Sequence, residues 1–160
     1  MFVFFLCLFL FFSCEKTPEM ISETKQIEYT DAELSRIAEN ARNTVSSFFL
    51  HLGRKSAGEY GFCVKYPFFP DGNSREGSEQ IWLNDIHFKN GNYYGVLANN
   101  PQFIQDIKKG DVVIFNTDLI TDWMYVRDKK IIGGFSIKYL LEKIPEDHRS
   151  EAQRELLKMF

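Results

Sequence analysis

The sequence is poor in features that announce chemistry. It holds three cysteines, Cys7, Cys14 and Cys63, with no Cys-x-x-Cys pair and no Cys/His cluster at metal-ligand spacing. There is no glycine-rich phosphate loop, no dinucleotide fingerprint, no HExxH helix and no Gly-x-Ser-x-Gly frame. His51, His87 and His148 lie on separate segments. No catalytic residue, cofactor or metal is therefore expected. Neither sign of charge dominates, with 19 Lys+Arg against 22 Asp+Glu and a formal charge of −3. A nucleic-acid partner needs a basic footprint, so none is expected. Ten Gly and five Pro exclude collagen-like and low-complexity classes. No internal repeat is present.

The sharpest absence is local. Residues 1–13, MFVFFLCLFLFFS, carry no charge, and six of the chain's 16 Phe fall there. As a helix, the twelve apolar residues span about 18 Å against about 30 Å of bilayer hydrocarbon. That is too short to cross and the right size for the apolar core of a signal peptide. A buried globular helix fits poorly, because no face is left for water. The step Ser13-Cys14 resembles the lipobox of bacterial lipoproteins, with an ordinary cleaved signal as the alternative. The resemblance implies that Cys14 is lipidated and becomes the first mature residue. It also implies a membrane partner through that lipid, at the periplasmic face or outer membrane of the cell envelope. Cys63 is then left without an intramolecular partner. Its neighbours Tyr60 to Val64 suit a small buried hydrophobe rather than a nucleophile.

Three regions follow: a signal over 1–13, a charged polar tether over 14–28, and one globular domain over 29–160. Thr30-Asp31-Ala32-Glu33 reads as a capping box. Apolar residues at 34, 37, 38, 41, 45, 48, 49 and 52 predict a helix with one buried face, stopped by Gly53. Tyr60, Phe62, Val64 and Tyr66 then alternate with Gly61, Cys63 and Lys65, predicting a strand that Pro67 ends. Asn90-Gly91 between apolar runs predicts a hairpin. Asn99-Asn100-Pro101 predicts a short helix through Ile107. Val112–Phe115 reads as a strand, and 123–126 with 130–132 as a second hairpin. Ser136 is placed to cap a helix carrying Ile137, Leu140, Leu141 and Ile144, and a terminal helix begins near Ser150. The fold class is α+β: an N-terminal amphipathic helix on a curved antiparallel sheet of about five or six strands, with one or two C-terminal helices.

Several blocks occur in a distinctive order. They are Phe62-Cys63-Val64-Lys65-Tyr66-Pro67-Phe68, Glu79-Gln80-Ile81-Trp82, Gly95 to Pro101, Lys109-Gly110-Asp111, Ile120 to Tyr125 and Gly133 to Ile137. Together, over roughly residues 58–141, they resemble the YegJ-like family, domain of unknown function 2314. The resemblance carries no activity to this chain. Some relatives resemble envelope proteins and others accompany ankyrin repeats, which implies binding. Gln80 stands where relatives often have His.

Asp122-Trp123-Met124-Tyr125 admits two readings. A carboxylate beside large aromatics can line a pocket, or the rings can fill the core while Asp122 caps a turn. Glu79 and Trp82 form a parallel case, and the residues share a groove if their strands are neighbours. Glu79, Trp82, Asp122, Trp123 and Tyr125 are therefore the candidate binding residues. The leading functional expectation is a lipid-anchored, non-catalytic binding or protective module that holds a protein or envelope component. The alternatives are a small envelope hydrolase using Glu79 and Asp122 as acid and base, or an immunity-type protein against a secreted toxin. An enzyme needs both carboxylates in one cleft, whereas a binding module needs an exposed apolar patch.

Overall fold

The computed structural model describes residues 31–54, 56–69 and 78–160. The signal, the tether, Cys14, Thr30 of the capping box and most of the 70–78 loop lie outside the described residues. Helix α1 spans Asp31–Arg54 and buries Ile37, Ala41 and Phe48, spaced by four and seven as the period predicts. It runs one residue beyond Gly53, which stands in open space. Six strands follow: β1 Glu59–Phe68, β2 Glu79–Lys89, β3 Asn92–Leu97, β4 Val112–Phe115, β5 Asp122–Arg127 and β6 Lys130–Gly133. Helices α2, Phe135–Lys143, and α3, Glu151–Lys158, complete the chain.

The strands form one antiparallel sheet in the order β4-β3-β2-β1-β5-β6. Two bulges bend it, one between Tyr60 and Cys63 on β1 and one between Asn84 and His87 on β2, where Asp85 takes φ 47°. Both hairpins close through turns with two positive φ angles, at Asn90-Gly91 and at Asp128-Lys129. Pro67 lies inside β1 rather than ending it. Pairing with β5 stops at Lys65, so Pro67 lacks a neighbour strand on that side and its missing N–H breaks no ladder bond.

Both faces of the sheet are covered at the β1–β5 end. Val64, Ile81, Leu83, Trp123 and Tyr125 pack with Ala41 and Phe48 of α1. Cys63, Trp82, Met124, Val126 and Ile131 pack with Ile137 and Leu141 of α2 and Leu156 of α3. This explains why β5, DWMYVR, is buried at five successive positions instead of alternating. Cys63 is fully buried, and it is disulfide-bonded rather than the lone thiol expected, an expectation that assumed both N-terminal cysteines removed or acylated.

Two local expectations are corrected. Residues 99–107 form no helix: Asn100 Oδ1 accepts from the distant amide of Lys109, at 2.9 Å, instead of capping a first turn. Helix α2 is not capped by Ser136, which is its second residue; Gly134, at φ 65°, precedes the helix and has no side chain to cap it. Gly133 is a steric requirement as well, since a Cβ there would meet the Trp123 carbonyl oxygen at 2.2 Å. Among the described residues, no helix is long and apolar enough to cross a membrane.

Candidate functional site

Strand β1 lies between β2 and β5, and the register sets Asp122, Lys65 and Trp82 in one row across the three strands. Asp122 is fully buried at the start of α2. Its Oδ1 accepts the amides of Trp123 (2.8 Å) and Phe135 (3.1 Å). Its Oδ2 accepts the amide of Ser136 (2.7 Å) and the Ser136 hydroxyl (2.6 Å). The carboxylate thus supplies, from another element, the cap that Gly134 cannot. Lys65 completes the chain, with Nζ donating to Ser136 Oγ at 3.3 Å and lying 5.8 Å from the Trp82 ring centre. Burial pushes the Asp122 carboxyl above its ordinary value, against the opposing pull of Ser136, Lys65 and the Trp123 amide. Burial lowers the Lys65 ammonium, and the charge of Asp122 pulls the other way.

Glu79 is occupied elsewhere. Its two oxygens accept the amides of Gln102 (2.6 Å) and Phe103 (3.0 Å), pinning the connection between β3 and β4. It pairs with Phe68, three positions along from the Lys65–Trp82 pair. Alternation therefore sets Glu79 on the α1 side, with Ile81 and Leu83, while Trp82 and Asp122 face α2. An intervening strand and opposite faces separate the two carboxylates, so the geometry assembles no acid/base pair. Of the other carboxylates, Asp111 accepts the Lys108 amide within its own turn, and Asp118 is exposed.

Trp123 and Tyr125 are core residues facing α1. The Trp123 indole donates to the Ala41 carbonyl at 3.0 Å, and Tyr125 stacks on Phe62 and His51. Around the Tyr125 hydroxyl sits a network that the sequence did not disclose. Arg127 donates to Tyr125 Oη (2.6 Å) and to Glu59 Oε1 (2.8 Å), and His51 meets the same Glu59 oxygen at 2.9 Å. It joins the end of α1 to β1 and β5. Burial raises the Tyr125 phenol, with the Arg127 charge opposing.

Two concave regions remain. A cleft of about 290 Å³ opens between the first half of α1 and the sheet, lined by Ile37, Ala38, Arg42, Lys65, Gln80 and Thr121, with Ser136 also on its wall. The Thr121 hydroxyl donates to Gln80 Oε1 at 2.6 Å across its rim. The second region is the opposite end of the sheet. On β4, Val112 and Ile114 are 61% and 59% exposed. Ile114 borders a shallow groove of about 570 Å³ with Phe88, Tyr93 and Phe115, and Phe88 is 63% exposed. Phe103, 73% exposed, lies apart on the β3–β4 connection that Glu79 pins. Among the described residues, no group of three His, Cys, Asp or Glu is arranged to hold a metal.

Lys65 and Ser136 were the site residues that the sequence hid. The available signal was a lysine in the middle of an apolar strand, at the parity of buried Cys63.

Residues 31–156 match the family model described as "Uncharacterized protein conserved in bacteria (DUF2314)". The chain is 35% identical over 129 residues to a putative ankyrin repeat protein of Neisseria meningitidis serogroup B, covering 78% of this chain and 51% of the relative. The chain thus spans about half the length of that relative. It is 29% identical over 149 residues to the uncharacterized protein YegJ of Escherichia coli K12, covering 93% of this chain and 94% of the relative. No solved structure matches.

Proposed function

For a chain that belongs to the DUF2314 family of bacterial proteins, we propose a lipid-anchored, non-catalytic binding module of the cell envelope. It holds a protein partner through the open end of its sheet. One observation carries the binding reading: an edge strand, β4, leaves Val112 and Ile114 exposed on one face of its open edge. An apolar edge of this kind is a liability unless another chain covers it. The occupied carboxylates support the non-catalytic part, since Asp122 and Glu79 already hold backbone amides. The Neisseria relative, named for ankyrin repeats, supports a domain that works in association. The anchor rests on the uncharged run over residues 1–13 and on Ser13-Cys14.

The test uses the full-length protein in its own cells. Palmitate labels the wild type but not Cys14→Ala, and a partner co-purifies with the wild type. Ile114→Lys keeps its melting temperature and loses that partner. Absence of label, or a partner retained by Ile114→Lys, contradicts the reading. Thiol chemistry gives a second check on the anchor. The Cys63 disulfide stands in the uncleaved chain. Removal of residues 1–13 with lipidation of Cys14 leaves Cys63 no intramolecular partner, so an intramolecular disulfide found in the mature protein refutes the anchor.

A further inference from the structure

The cleft beside α1 is distinct from the apolar edge and has a different chemistry. Two cations line it, Arg42 and Lys65, with the Gln80 amide and the hydroxyls of Ser35, Thr121 and Ser136. Among the described residues, no carboxylate lies on its wall, although the chain as a whole is acidic at −3. Ile37 and Ala38 supply a short apolar stretch. We propose that this cleft binds a small organic carboxylate, its charged group between Lys65 and Arg42 and its aliphatic part against Ile37 and Ala38.

The hydrogen bonding favours an anionic guest. Asp122, the carboxylate whose charge acts on Lys65, already accepts four donors and meets Lys65 through the Ser136 hydroxyl. The Ser136 hydroxyl donates its proton to Asp122 and takes the Lys65 contact on a lone pair. An ammonium has three N–H groups and this contact uses one, so Lys65 has capacity for an acceptor in the cleft. Arg42, exposed at the mouth, adds a planar donor fork that matches a carboxylate in geometry. A depressed lysine gains most from such a guest, because a bound anion restores the charge that burial disfavours. The volume equals about ten waters at about 30 Å³ each, room for an acid of a few carbons. Few convergent polar groups over an apolar wall is the usual make-up of a small-molecule site.

The experiment titrates the folded protein with acetate, butyrate and succinate, and separately with inorganic phosphate, following amide chemical shifts. The expected result is saturable movement at residues 35–42, 65, 80, 121 and 136 for at least one carboxylate, with phosphate weaker. Arg42→Gln, a surface change that leaves the core intact, weakens that binding about tenfold. Lys65→Met weakens it further wherever its melting curve shows a folded protein. No saturable movement in the cleft, or an unchanged affinity in Arg42→Gln, overturns the proposal. Phosphate binding as tightly as the best acid overturns the carboxylate assignment. None of these outcomes depends on the β4 edge.

Discussion

Strands β6 and β4 both end the sheet, and the chain treats them differently. At β6 the amide of Ile131 donates to the carbonyl of Met159 at 2.8 Å, and Lys130 Nζ reaches the carbonyl of Lys158 at 2.7 Å. The segment leaving α3 therefore closes that edge, and Leu156 is buried beneath it. The capping box of Ser150 and Gln153 fixes where α3 begins. At β4, no strand pairs with the outer edge among the described residues, and the side chains of Val112 and Ile114 stand in solvent. An open edge invites pairing with another chain, and proteins ordinarily blunt it with charge, proline or a covering element. Among the described residues, a covering element lies at the β6 edge only. The contrast separates a half whose edge is closed by the chain's own C-terminal segment from one whose inward edge side chains, Phe115 among them, serve the core while Val112 and Ile114 stay exposed.

Substitutions test the difference between the two edges, in descending order of effect. Asp122→Ala has the largest expected effect. It strands the Ser136 hydroxyl and the first amides of α2, and it leaves the half-buried Lys65 ammonium without the charge of Asp122. A loss of about 3–5 kcal/mol is expected in denaturant unfolding. A loss below about 1 kcal/mol would show that the closed half does not depend on this cap.

Lys65 adds a pH signature to the same half. Its folded pKa lies below 10.5, so at pH values between the two the unfolded chain binds the extra proton. Stability from this residue rises with pH through that window and levels off above 10.5. Lys65→Met removes the slope, and a difference curve between the two proteins that stays flat with pH contradicts the assignment.

Glu79→Ala is milder, about 1 kcal/mol, because its acceptors serve loop amides near the surface. Faster hydrogen exchange at Gln102 and Phe103 is the specific readout, and unchanged exchange there would remove Glu79 from its pinning role. Ile114→Lys lies at the bottom of the series. An exposed edge side chain contributes within about 0.5 kcal/mol, so the melting curve is expected to match the wild type.

The part of the fold that was legible in the sequence is the part set by neighbours in the chain. The period of α1, the Asn90-Gly91 turn and the Ser150 start of α3 are local signals, and each produced its element. What failed was decided across the sheet. Asn100 and Pro101 look like a helix start, but Asn100 is drawn to Lys109, and Glu79, 23 residues away, takes the amides of Gln102 and Phe103. Asp122 caps α2 from a strand 14 residues away, which left Ser136 with a different task from the one its position suggested. The grouping of Glu79 with Trp82 failed for a reason present in the sequence. Residues three apart on a strand face opposite ways. The grouping with Asp122 failed because β1 sits between β2 and β5, an order that no local pattern encodes.

On the proposed function, the partner meets the β4 edge and not the β6 edge. Photo-crosslinking residues placed singly at 112, 114 and 130 in the full-length protein, irradiated in its own cells, test it directly. Positions 112 and 114 are expected to give one discrete heavier species, and position 130, beside the closed edge, to give none. Crosslinks that form equally at 130, or that fail at both 112 and 114, would contradict the account.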